Sequence, residues 1–115
     1  MPHLILEHSD HLAQSHDLGA LADALFEAAC AHPVFAAAPR AVKLRTIACA
    51  HGRSGVVPES HAHLTVRMLS GRSAETKAAL AGDLLAVLDR HLPDVGSLSV
   101  EPVDMDRTTY VKRAL

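Results

Sequence analysis

Between His61 and Leu69 the chain reads HAHLTVRML, with Ala62, Leu64, Val66 and Met68 on one side and His61, His63, Thr65 and Arg67 on the other. A period of two residues is that of a strand with one face in a core and one face polar. Whatever fold this chain takes must therefore cover one face of a sheet. The cover follows at once. Ser73 heads a segment with Glu75 in its first turn and Ala81, Leu84, Leu88 and Leu92 at helical spacing, and Pro93 stops it.

The rest of the chain repeats this logic. His3 to His8 reads as a short apolar strand, followed by the polar connection SDHLAQSHD. A helix is expected over Leu18–Ala31, with Asp17 as N-cap, Leu18, Leu21, Leu25 and Ala28 as its stripe, and Pro33 beyond its end. RAVKLRTIACA sets Val42 and Leu44 against Lys43 and Arg45, a strand with one apolar and one charged face. HGRSGVVPES is a loop, SLSVEPV a fourth strand, and the tail DRTTYVKRAL a short extension or edge strand.

The order is β-α-β-β-α-β, an α+β fold with two helices on one face of a four-stranded sheet. It divides into two β-α-β halves, about residues 1–50 and 60–103. An offset of sixty residues places His3-Leu4 on His63-Leu64, Asp23 on Asp83, Leu25 on Leu85 and Pro33 on Pro93. The sheet face carrying His61, His63, Thr65, Arg67, Lys43 and Arg45 is too polar for a core. A partner subunit is one way to cover it.

The whole chain, residues 1–115, suits a single domain, and 49% hydrophobic residues with 3% aromatic and no Trp imply a compact aliphatic core. A net charge of −2 gives no global attraction for nucleic acid or an anionic membrane. The first residues lack a basic, long apolar leader and no run is long enough to span a bilayer, so a cytoplasmic protein is expected. Cys30 and Cys49 have neither metal-finger nor redox spacing and read as small buried thiols. Nine histidines raise the possibility of a metal. His61 and His63 share a strand face, but no third ligand stands at dependable spacing, so no metal is expected. His63 suits packing or hydrogen bonding at a subunit interface, and His8, His11 and His16 read as surface loop residues.

Pro2 raises a chemical question. Strand starts tolerate proline, which lacks a backbone N–H. Removal of Met1 would expose a secondary amine at Pro2, and retention of Met1 makes the same nitrogen an amide without basicity. Arg72 poses a second question, because a cation just ahead of a helix N-terminus faces the positive end of the helix dipole. A bound anion would offset that repulsion, whereas a solvated turn arginine needs no ligand.

PHLILEHS at the start, AVKLRTI in the second strand, HLTVRMLSGRS leading into the second helix, and the tail TTYVKRAL resemble the 5-carboxymethyl-2-hydroxymuconate Δ-isomerase family of the tautomerase superfamily. The resemblance spans nearly the whole chain. It implies a trimer with helices outside, sheets facing one another and active sites near subunit boundaries, acting without a cofactor. Residue by residue, Pro2 matches the catalytic amino-terminal proline and Arg72 the arginine of GRS. The family tends to show two arginines separated by one residue where this chain has Lys43 and Arg45, and lysine lacks the planar bidentate fork. The loop before the third strand reads HGRSG in place of an Asp-Gly pattern.

The chemistry so implied is a proton moved from one carbon to another through a dienolate. An α-amino group, whose pKa in water is roughly 7.7–8.0, becomes a competent base at neutral pH after modest desolvation or near cations. Lys43 and Arg45 would hold substrate carboxylates and Arg72 would act electrophilically. The expected substrate is a small anionic keto or enol acid from aromatic breakdown. Two other readings stand beside this one: a tautomerase of different substrate, and a non-enzymatic small-molecule-binding or regulatory module, since ferredoxin-like domains share this element order.

Overall fold

The computed structural model describes residues 1–115. Strand β1 (His3–Ser9) leads through a 3-10 turn into helix α1 (Leu18–Ala31), and a second 3-10 turn precedes β2 (Lys43–Cys49). Strand β3 (His61–Leu69), helix α2 (Ala74–His91) and β4 (Ser97–Met105) complete the chain. The sheet order is β2-β1-β3-β4, with β1 and β2 parallel, β3 and β4 parallel, and β1 antiparallel to β3 at the centre. Each parallel pair is joined across its own helix, as parallel strands require.

The central ladder has an internal symmetry. Leu4 pairs with Val66 and Leu6 with Leu64, while Ile5 pairs with Thr65. The sixty-residue offset seen in the sequence carries this register onto itself, about the Ile5–Thr65 pair.

Strand alternation decides which residues enter the core. Leu4 and Leu6 of β1 and Ala62, Leu64, Val66 and Met68 of β3 are buried under the helices. Leu21, Leu25 and Ala29 of α1 and Leu80, Leu84, Val87 and Leu88 of α2 close over them. Each fully buried leucine contributes about 1.5–3 kcal/mol relative to exposure. The stripe of α2 is shifted from its expected line: Leu80 and Val87 are buried, whereas Ala81 is half-buried. On α1, Leu18 and Ala28 pack only partly against the core.

The helix starts follow their caps. Asp17 accepts from the Ala20 N–H at 2.9 Å, and the Ser73 hydroxyl accepts from the Thr76 N–H at 3.1 Å. Gly96 is required by a close approach, since a Cβ there would stand 1.9 Å from the Pro58 carbonyl oxygen. Ser60 closes the same junction, accepting from the Gly96 N–H at 2.9 Å.

Two histidines read as surface loop residues are covered instead, one of them within a strand. His8 is the penultimate residue of β1 and is buried, with Nδ1 2.8 Å from the Ser9 carbonyl oxygen. His16 is largely covered, its Nε2 2.6 Å from Asp94. The tail beyond Met105 forms a turn at 107–109 and then irregular chain, with no edge strand. The sheet face opposite the helices presents His3, Ile5 and Glu7, then Lys43 and Arg45, then His61, His63, Thr65 and Arg67. His63 bonds the Ser99 hydroxyl at 2.6 Å and faces Glu101 at 3.4 Å on that surface. No helix is long and apolar enough to cross a membrane.

Candidate active site

The parallel pairing of β1 with β2 sets Pro2 beside the start of β2. The Lys43 N–H donates to the Pro2 carbonyl at 3.0 Å, one step before His3 pairs with Lys43. Pro2 itself is fully buried. The amino group ahead of it, on Met1, donates to the carbonyl oxygen of Ala41. Lys43 Nζ donates to that same oxygen at 3.0 Å.

This arrangement is unfavourable for a protonated amine. Its pKa falls from 8.0 to about 6, first because burial strips water from the ammonium and then because Lys43 and Lys112 add positive charge. The sequence predicted Lys43 but not Lys112, which arrives from the tail. Arg40, Lys43 and Lys112 line a groove of about 310 Å³ with Ala41. It is a cationic recess beside a weakly basic amine, suited to an anion. A larger hollow of about 530 Å³ between α2 and β4 contains Asp89 and mainly apolar walls, away from these groups.

Arg45 stands one position further along the open face from Lys43. Its Nη1 donates to His3 Nδ1 at 3.2 Å, and His3 Nε2 lies 2.9 Å from the Tyr110 hydroxyl. The ring of Tyr110 meets that of His3 edge-on, with centroids 6.1 Å apart. Burial, then Arg45, the amino terminus, Lys43 and Arg67, depress the His3 pKa. Neither His3 nor Tyr110 was expected from the sequence. The only signal was position: His3 faces away from the core in the strand that follows Pro2.

Arg72 occupies the same end of the sheet but is turned elsewhere. Its guanidinium donates to the Leu69 carbonyl at 3.0 Å and the Val34 carbonyl at 3.3 Å, and stacks over Phe35 at 5.8 Å. It approaches the terminus through Leu69, whose N–H meets Met1 Sδ at 3.2 Å. Each residue of GRS therefore has a local task. Gly71 takes a φ of +123° that turns the chain out of β3, Arg72 ties that turn to the α1–β2 connection, and Ser73 caps α2.

No three His, Cys, Asp or Glu side chains converge as a metal site, and Cys30 and Cys49 are free.

Comparison with known proteins supplies the family. A structure of 5-carboxymethyl-2-hydroxymuconate delta-isomerase matches over 100% of this chain and 88% of its own, at 17% identity and a TM-score of 0.77. The 5-carboxymethyl-2-hydroxymuconate isomerase from Deinococcus radiodurans R1 matches over 97% and 88%, at 23% identity and a TM-score of 0.77. A "Q0 fused 4-OT wild type symmetric trimer" matches over 99% and 94%, at 26% identity and a TM-score of 0.72. A search of curated proteins by sequence returns no match. The family model for 5-carboxymethyl-2-hydroxymuconate isomerase matches residues 2–113, and with the tautomerase fold in place the chain belongs to that isomerase family.

Proposed function

We propose that this isomerase shifts a proton and a double bond in a carboxylated dienol of the 5-carboxymethyl-2-hydroxymuconate type, with the secondary amine of Pro2 as general base once Met1 is removed. The observation that carries the reading is the surroundings of the terminal amine: a partly buried seat at the Ala41 carbonyl, where desolvation first, and then Lys43 and Lys112, lower the Met1 amine's pKa to about 6. Removal of Met1 would place the secondary amine at Pro2, beside the start of β2 and Lys43, where burial and neighbouring cations favour the neutral amine. It can take a proton from one carbon, leave the electron pair delocalised onto the carbonyl oxygen as a dienolate, and return the proton to another carbon. The amine ends as it began, so no cofactor is consumed. Lys43 and Arg45 hold carboxylates, and Arg72 is proposed to assist from the Leu69 side, where releasing one backbone carbonyl would free an N–H donor for substrate.

The open polar face of the sheet supports a homotrimer, the assembly named for the fused 4-OT structure. Sedimentation should then give three times the chain mass.

The test is conversion of 5-carboxymethyl-2-hydroxymuconate, followed by ultraviolet absorbance, using protein whose intact mass shows Met1 removed. Turnover that largely disappears in Pro2→Ala is the expected result. No turnover above buffer, with a demonstrably free terminus, would overturn the assignment and favour another tautomerase substrate or an anion-binding module.

A further inference from the structure

Tyr110 is the one tyrosine of the chain, and its hydroxyl is held from one side only. The hydrogen-bond directions follow from chemistry. Arg45 can only donate, so His3 Nδ1, at 3.2 Å from Nη1, must accept. A neutral ring that accepts at Nδ1 carries its proton on Nε2. That proton points to the Tyr110 oxygen at 2.9 Å, which therefore accepts. The phenolic proton is left without an acceptor in the chain.

Three permanently charged side chains, Arg45, Lys43 and Arg67, act on the His3 ring. Burial first, and then these cations, lower the His3 pKa and so favour the neutral ring that the assigned tautomer requires. Tyr110 is half-buried, and two residues further on Lys112 lines the groove beside the amine. A phenol whose oxygen already accepts a hydrogen bond is a stronger donor.

Resting on the isomerase reading above, we infer that Tyr110 donates a hydrogen bond to the substrate oxygen that gains negative charge in the dienolate, and that Arg45 and His3 position it. The phenol keeps its proton throughout. As the amine removes the carbon-bound proton, charge accumulates on the oxygen and the bond to Tyr110 strengthens; it relaxes when the proton returns. An interaction that strengthens in the transition state acts on kcat more than on KM.

The decisive variant is Tyr110→Phe, which keeps the ring against His3 and removes the hydroxyl. In Met1-free protein a fall in kcat of about 100-fold with little change in KM is expected, the loss typical of one oxyanion donor. A kcat within about twofold of the parent would overturn the inference while leaving the isomerase assignment intact. Absence of turnover in the parent would overturn both. The positioning role has its own readout: nitrogen NMR of the histidine ring should find His3 protonated at Nε2 at pH 7, and Arg45→Met should give a mixture of tautomers. A ring protonated at Nδ1 in the parent would exclude the relay. Should Tyr110→Phe fail to fold, biosynthetic 3-fluorotyrosine alters position 110 alone. Its fluorine resonance should move on saturation with substrate, and a stationary resonance would count against contact.

Discussion

Lys43 Nζ and the terminal amine donate to one oxygen, the Ala41 carbonyl, so the Lys43 ammonium stands directly beside the amine. Part of the amine's low pKa is thus a property of residue 43, and part is burial, the larger cause. Removing a neighbouring cation favours the protonated amine and raises its pKa. In Lys43→Met the acid limb of the kcat/KM profile should move to higher pH, by part of the shift only because desolvation remains. A limb that stays in place would show that Lys43 does not act on the base.

Arg72 should prove costly to remove even without substrate. Arg72→Ala leaves the Leu69 and Val34 carbonyls without their charged donor and uncovers Phe35. A loss of roughly 1–3 kcal/mol in chemical denaturation is expected. Activity should be compared under conditions where the variant is fully folded; a rate loss there measures the proposed electrophilic role apart from the structural one.

The contact between His16 and Asp94 ties the 3-10 turn after β1 to the loop after α2. The hydrogen bond to Asp94 raises the His16 pKa above 6.5, and the same bond lowers the Asp94 pKa below 3.8. A raised histidine pKa stabilises the fold fully below its unfolded value and loses that contribution as pH rises through the folded one. A depressed aspartate pKa contributes above 3.8 and is lost as pH falls through the folded value. Both operate together between the two ranges. Asp94→Asn should therefore be destabilised most where His16 is protonated and Asp94 ionised, and approach the parent as pH rises through the folded His16 value. Melting temperatures measured across pH test this, and a constant difference would exclude the linkage.

Strand and helix were legible where periodicity was long and caps were present. HAHLTVRML forms β3 without a break because both neighbours, β1 and β4, satisfy its backbone while the helices take its apolar side. Leu18–Ala31 begins and ends as Asp17 and Pro33 direct. β2 was less legible in detail. Thr46 and Ala48 remain exposed although they alternate toward the helices, because β2 is an edge strand that α1 covers only near Leu44.

By itself the sequence determined the element order, the buried face of each central strand and the cationic character of the second strand, since all three follow from local period and residue type. It also marked Pro2, Lys43 and Arg45, which the β1–β2 pairing draws to one end of the sheet. Tertiary structure alone decided that Lys112 stands beside the amine, that Arg72 is tied to backbone carbonyls, and that Tyr110 meets His3 across 107 positions of chain. No periodicity reports such contacts. Two of them exist because an irregular tail folds back beside the start of β1 and β2, and the third because the turn after β3 meets the connection after α1.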